Sequence, residues 1–471
     1  MKYDIVIGLE VHVQLKTRTK IFCGCNTAFG AEPNTLVCPV CLGLPGVLPV
    51  LNHRVIEYAV KASLALNCEI ASLSRFHRKN YFYPDLPKAY QVSQYDEPLA
   101  VNGYVDISNG KRIRITRAHL EEDAGKLIHS GEGISLVDYN RTGIPLLEIV
   151  SEPDISTPQE AYDYLTNLKA IIEYTDVSDC NMEEGSLRCD ANISIKPEGA
   201  VMLGTKAEIK NMNSFRAVER ALTHEIQRQA KLVDQGGKVV QETRLWDEKK
   251  QTTSSMRLKE EAHDYRYFPE PDLMPVRISQ EYVQSINETI PELPQARMKR
   301  FVSQYNLSEY DVQILVADKD LADFYEETVR LFANPKMVGN WIITEMLCLL
   351  GEARIGIGEC QVTADYLSRM LQMIETGIIS GKIGKDVLAE VFRTGMSPEQ
   401  IVKEKGLVQI TDINELELVI NKILQENPRV VEQYREGKKQ ALGFFVGQVM
   451  RLTSGKAQPE MVNEILKKQL E

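Results

Sequence analysis

The chain has 471 residues, 43% hydrophobic and 26% charged, with a formal net charge of -11. That length allows two to four domains at roughly 100–200 residues each, every one able to bury a core without disulfide staples. The acidic balance excludes nucleic-acid binding by overall charge, so any basic contact surface must be local. The absence of a run of about 18 apolar residues excludes a membrane-spanning helix.

Residues 1–8 read as a strand and lack the apolar run and small-residue cleavage site of a signal peptide. With no export signal, the nine cysteines are expected as thiols and metal ligands in a reducing, cytoplasmic setting. Up to about residue 290 the chain alternates short β-type runs with Gly, Pro and Asn punctuation. Residues 11–15, 104–107, 113–117, 192–195 and 207–210 have strand character. Helical patterns interrupt them at 53–66, 158–174 and 214–236, the last opened by Ser214 and closed by Gly236-Gly237. Strands and helices without regular βαβ alternation predict an α+β fold on a largely antiparallel sheet.

Two prolines in Ile290-Pro291-Glu292-Leu293-Pro294 mark a boundary. Beyond it helices are expected at 296–304, 317–332 and 337–350. After a second break at 405–412 they are expected at 413–426, 428–437, 440–454 and 459–470. The predicted organisation is a body at 1–292, an all-α domain at 293–406 and a small all-α tail at 407–471.

Three constellations could carry chemistry. Cys23 and Cys25, then Cys38 and Cys41, form two close pairs joined by a loop, the pattern of a closed four-thiolate zinc site with a structural role. The alternative is four buried thiols. Cys68, Cys180, Cys348 and Cys360 lack such partners and are expected in the core, and Cys189 is expected to pack. The second constellation is acidic: Glu10-Val11-His12, the string His119-Leu120-Glu121-Glu122-Asp123, Glu148 between apolar neighbours, and the 183–192 segment with Arg188, Asp190 and Asn192. Glu10 and His12 would share one strand face, as would Asp190 and Asn192. Oxygen ligands of this kind suit magnesium, although any one carboxylate alone also fits a solvated surface. The third is aromatic and basic, at 78–91 and 264–272, either functional loops or rigid turns. No Walker loop, dinucleotide fingerprint or G-x-S-x-G elbow is present, so ATP, if bound, is held through metal and carboxylates.

The strings at 7–15, 79–90, 119–126, 182–192, 210–215 and 264–272 resemble the B subunits of the aspartyl/glutamyl-tRNA amidotransferases, and the resemblance runs essentially end to end. The 437–448 segment resembles that family's tRNA-contacting tail. The resemblance implies an ATP-dependent ligase working on misacylated tRNA beside an amidase subunit and a small third subunit. The carboxylate of Glu-tRNA(Gln) or Asp-tRNA(Asn) is phosphorylated, and ammonia delivered from the amidase displaces phosphate. It further implies magnesium at Glu10, His12, Glu122, Glu148 and Asp190, and an ammonia-channel mouth at Lys79, Lys88 and Glu122. Arg188 could balance the transferring phosphoryl group, and Lys438, Lys439, Arg451 and Lys456 could meet tRNA phosphates. Two other readings are a non-catalytic tRNA-binding adaptor and a zinc-ribbon metal-dependent nuclease.

Overall fold

A computed structural model describes residues 3–129, 133–258, 265–408, 413–435, 438–453 and 456–470. Asp264, the 409–412 end of the second break, Gly437 and Ser454 lie outside the described residues. The chain forms two compact units, Met1–Leu293 and Pro294–Glu471.

The first unit is built on one twelve-stranded sheet. Its strands are β1 (Tyr3–Gln14), β2 (Glu69–Ile70), β3 (His77–Asn80), β4 (Tyr90–Ser93), β5 (Ala100–Asp106) and β6 (Arg112–Glu122), then β7 (Pro145–Ser151), β8 (Leu187–Pro197), β9 (Ala207–Lys210), β10 (Glu242–Asp247), β11 (Thr252–Leu258) and β12 (Phe268–Pro269). The spatial order is β11-β10-β9-β8-β1-β7-β6-β4-β3-β12, with β5 on β6 and β2 on β5. All of these pairs are antiparallel except β9–β10. That parallel pair is joined through a helix, as a parallel connection requires.

The central strand shows why the sheet is two-faced. Ile7, Leu9, Val11 and Val13 are at most 1% exposed, whereas the alternate residues Glu10, His12 and Gln14 point to the other side. Three helices complete the apolar core: α1 (His53–Ala65), α2 (Pro158–Tyr174) and α3 (Phe215–Asp234). Val55, Ala59, Tyr164, Leu168 and Val218 join Ile7, Leu9 and Val11 in a single cluster. Ser214 caps α3 by accepting from the Ala217 amide at 3.0 Å, and Gly236 follows with a φ of 79°. The left-handed turn there is one that glycine adopts without strain.

The described residues of the second unit are helical. The segment expected at 337–350 runs through Pro335–Trp341, one wider π turn at Ile342–Met346, and Leu347–Ala353. Towards the C-terminus, helices Ile413–Glu426, Ala441–Leu452 and Pro459–Leu470 bury Leu416, Ile420, Phe445, Val449, Val462 and Leu466 in a core of their own. Pro428–Arg435 packs at its edge through Val430, Val431 and Tyr434. Cys68, Cys180 and Cys189 are buried as expected, but Cys348 is exposed and Cys360 only half-buried. Cys348 sits near Glu352 one turn on, and its helix buries Leu350 instead.

Candidate functional site

Strand register assembles the polar face. Arg188 on β8, His12 on β1, Glu148 on β7 and His119 on β6 stand opposite one another across four strands. One step along, Asp190 stands opposite Glu10. These residues line a cavity of about 1100 Å³, with Lys79, Glu121, Glu208, Lys210 and tyrosines of both aromatic loops.

Two acidic clusters lie in it. In the first, His12 Nε2 is 3.3 Å from Glu148 Oε2 and 3.7 Å from Glu121 Oε1. In the second, Glu10, Asp190 and Glu208 converge. Candidate ligand atoms within each cluster lie no more than 4.8 Å apart, close enough to share one cation. Asn192 donates to Glu10 Oε1 at 2.9 Å and orients it. The Lys210 ammonium pairs with Asp190 and lies 3.4 Å from Glu208.

The electrostatics of the first cluster are those of a charge-rich, desolvated site. Burial works to lower the His12 pKa, but the hydrogen bond to Glu148 and the charges of Glu148, Glu121 and Asp190 prevail and raise it to about 9. Burial pushes Glu121 up to about 7, with repulsion from Glu148 adding to it. Burial opposes ionisation of Glu148 too, yet His119, His12 and Lys79 hold it well below the carboxylate range. His119, 3% exposed, is drawn down to about 4 by desolvation. Burial and the neighbouring Glu148, Asp190 and Glu208 raise Glu10. In the metal-free cluster the imidazolium of His12 offsets the carboxylate charge, so a cation held by His12 would have to displace its proton.

The family resemblance implies magnesium at Glu122; in the structure it is Glu121 that lies beside His12 and Glu148. On a strand, Glu121 shares the face of His119, and Glu122 turns to the opposite one. There Glu122 forms an ion pair with Lys88 and accepts from the Val92 amide at 2.8 Å. Lys88 and Glu122 line a separate cavity of about 140 Å³, together with Lys20, Cys23, Cys41 and Glu270. Lys79 is apart from them, facing the large cavity with its ammonium 5.0 Å from the Tyr265 ring centre. Arg188 also lines the large cavity, anchored to Asp123 Oδ1 at 3.0 Å. Glu208 and Lys210 line the cavity although they stand in none of the three constellations, and His119 and Glu121 belong to the acidic string without being singled out within it. Strict alternation through His119-Leu120-Glu121 and Glu208-Ile209-Lys210 was the signal for them.

The four cysteines are brought together, their sulfurs within 4.8 Å of one another. Tetrahedral zinc with bonds near 2.3 Å needs sulfurs about 3.8 Å apart, so the donor set fits that metal. Hydrogen bonding from Cys23 holds the Cys41 thiol down to about 4, the charge of buried Lys20 contributing. Lys20 Nζ lies 3.7 Å from Cys41 Sγ, and the Cys38 amide donates to the same sulfur. In the second unit Lys438 and Lys439 are exposed and line a groove of about 560 Å³ with Phe444. Arg451 is exposed elsewhere on its helix, and Lys456 is half-buried outside that groove.

Residues 5–284 match the GatB/GatE catalytic domain, and residues 323–470 match the GatB domain. The chain belongs to the GatB/GatE family. It is 60% identical to the B subunit of the aspartyl/glutamyl-tRNA(Asn/Gln) amidotransferase of Carboxydothermus hydrogenoformans, over 100% of this chain and 99% of that one. The proteins of the same name from Brevibacillus brevis and Thermodesulfovibrio yellowstonii are 56% and 55% identical, over 100% and 99% of this chain and 99% of each relative. The catalytic-domain match spans both acidic clusters and the cysteine quartet. Among the described residues, no helix is long and apolar enough to cross a membrane.

Proposed function

We propose that this chain is the synthetic subunit of a cytoplasmic tRNA-dependent amidotransferase, working with an amidase subunit and a small third subunit. It uses ATP to phosphorylate the side-chain carboxylate of Glu-tRNA(Gln), Asp-tRNA(Asn) or both, and ammonia then replaces the phosphate. The observation that carries this reading is the pair of acidic clusters on one sheet face, within the region matching the catalytic domain.

A carboxylate is a poor acyl electrophile, and phosphorylation gives it a leaving group. The transfer demands alignment and neutralisation of phosphate charge more than covalent help. His12, Glu121 and Glu148 suit a magnesium ion, with Glu10, Asp190 and Glu208 as a second acidic group, and magnesium when bound supplies that neutralisation. Lys79 and Arg188 face the same cavity and offer positive charge to the moving phosphoryl group. Asp123 fixes the guanidinium of Arg188, and Asn192 fixes the carboxylate of Glu10. The Lys88–Glu122 pair, in its own small cavity, serves the ammonia: Glu122 takes the proton that ammonium must lose before nitrogen can attack. The cysteine quartet holds zinc as a clasp on the fold. The tail binds tRNA phosphates through Lys438, Lys439, Arg451 and Lys456, in a third domain from about residue 407.

Reconstitution with both partner subunits, each misacylated tRNA, ATP and glutamine tests the reading. The expected result is amidation of at least one tRNA by the parent and its loss in Glu148→Ala, with ammonium chloride as nitrogen source as well. Failure on both tRNAs, or full activity of Glu148→Ala, would overturn it; the latter outcome is that of an adaptor subunit.

A further inference from the structure

The small cavity of about 140 Å³ has walls from two separate parts of the chain. Cys23, Cys41 and Gly43 of the cysteine clasp form one, and Lys88 and Glu122 stand on the other. The last turn of the clasp therefore faces the pair assigned above to ammonia.

That turn is closely specified. The Cys38 amide donates to Cys41 Sγ at 3.1 Å. The Leu42 amide donates to the Cys38 carbonyl and the Gly43 amide to the Val40 carbonyl, each at 3.0 Å. The chain leaves the turn at Gly43 with a φ of 65°, a left-handed conformation that favours glycine. A Cβ on Gly43 would lie 2.3 Å from Lys88 Cγ, 3.3 Å from Lys88 Cβ and 3.4 Å from Lys88 Cα. Carbon atoms in ordinary contact are about 3.5–4.0 Å apart, so Lys88 packs against the glycine backbone in the space a side chain would take.

Lys88 has little room to yield. The next residue, Ala89, holds a φ of 63°, and its amide donates to the Leu86 carbonyl at 3.0 Å, so the backbone carrying the lysine is itself constrained. At the far end of the side chain the ammonium meets Glu122 Oε1, which also accepts from the Val92 amide, and lies 5.2 Å from the Tyr90 ring centre.

We propose that Gly43 is a positioning residue for the use of ammonia: having no side chain, it lets the clasp turn seat the stem of Lys88, which aims its ammonium at the Glu122 carboxylate. The clasp then shapes this pair as well as steadying the fold. This rests on the reading above, in which Lys88 and Glu122 serve the ammonia, and adds what holds them in register. A side chain at position 43 would push the lysine aside by about 1 Å, a displacement that can cost up to about 10²-fold in a reacting site.

The test is amide and ADP formation by the reconstituted complex over a series of ammonium chloride concentrations, with zinc content and melting temperature measured on each variant. Gly43→Ala should lower kcat/KM for ammonium by roughly 10–100-fold and leave ADP formation within about twofold. Gly46→Ala is the control for the loop backbone. Gly46 has a φ of 85° and no atom within 4 Å of where its Cβ would lie. Its variant bears the same left-handed strain without touching Lys88, and should keep ammonium use within about twofold of the parent. In the Lys88→Ala background, where Cγ is gone, Gly43→Ala should add less than about twofold, as expected of two residues acting through one contact. Should Gly43→Ala lose its zinc or its fold, the same double variant decides. Recovered zinc content and melting temperature locate the clash at Lys88, and unrecovered values place it elsewhere and overturn the proposal. Parental ammonium use in Gly43→Ala, equal losses in Gly43→Ala and Gly46→Ala, or full additivity with Lys88→Ala also overturns it. Unimpaired amidation by Lys88→Ala sinks instead the reading that this pair serves the ammonia.

Discussion

Glu121 and Glu122 are adjacent in sequence and opposite in role, which makes a paired substitution informative. Glu122 is 2% exposed, and its carboxylate meets the Lys88 ammonium and the Val92 amide. Glu122→Gln keeps an acceptor for the amide but removes the charge facing a lysine that is only 12% exposed. Losing one charge-assisted hydrogen bond in a buried setting costs about 1.5–3 kcal/mol. At roughly 2–4 °C per kcal/mol for a unit of this size, the melting temperature should fall by about 3–12 °C. Glu121→Gln should behave otherwise. Its folded pKa, about 7, lies above the carboxylate's unfolded value, so ionising Glu121 destabilises the metal-free fold progressively as pH rises from about 4.3 through 7. Gln removes that burden. The metal-free variant should therefore melt no lower than the parent at pH 8, and the difference should shrink towards pH 5. Function should divide in the opposite sense. Glu121→Gln should lose roughly 10²–10³-fold in ATP-dependent phosphorylation, the scale for removing one transition-state electrostatic contact. Glu122→Gln should keep ADP formation while losing amide formation. The assays are differential scanning fluorimetry and paired ADP and amide measurements on the reconstituted complex. Equal loss of ADP formation in both variants would refute the assignment of the two faces.

Other consequences follow from the same geometry. Cys38→Ser should drop bound zinc, measured by elemental analysis, to well below one per chain and lower the melting temperature, because the metal's binding energy contributes to folding. ATP turnover below the melting temperature should stay within about threefold. In the second unit, burial opposes the ionisation of Glu326, but hydrogen bonds from Arg300, Tyr305 and Arg297 bring it down to about 2. A depressed folded pKa stabilises above the unfolded value and is lost as pH falls. The melting-temperature gap between parent and Glu326→Gln should thus be largest above pH 5 and close between about pH 4.5 and pH 2; solvent screening of this partly exposed group keeps it modest. Lys438→Ala and Lys439→Ala should weaken tRNA binding and each lower the slope of log affinity against log salt by roughly 0.7–0.9. An unchanged slope would remove the tail lysines from the interface.

What could be read in the sequence was set by local physics. The Ser214 cap, the Gly236 turn, the proline-led start of Pro158–Tyr174 and the alternation of Ile7, Leu9, Val11 and Val13 are each decided by a few neighbouring residues, and the structure agrees with them. The cysteine spacing likewise specified a cluster. The face of Glu121 against Glu122 depended on cross-strand register, since Pro145 opposite Glu122 and Leu146 opposite Glu121 come from a distant segment. Glu208 and Lys210 reached the site only because β9 pairs with β8, another long-range pairing invisible in a short string. The structure separates Lys79 from Lys88 and Glu122 for the same reason. Lys79 lies on β3 facing the large cavity, and Lys88 lies in the loop before β4 and turns to the other hollow.

The proposed chemistry depends most on a divalent cation seated among His12, Glu121 and Glu148 at the polar face of the sheet. Crystals of the full chain grown with manganese and a non-hydrolysable ATP analogue, measured at the manganese absorption edge, test it directly. The predicted result is an anomalous peak within about 2.5 Å of His12 Nε2 and of oxygens of Glu121 and Glu148, absent in Glu148→Ala. A peak beside Glu122, or none on that face, would contradict it.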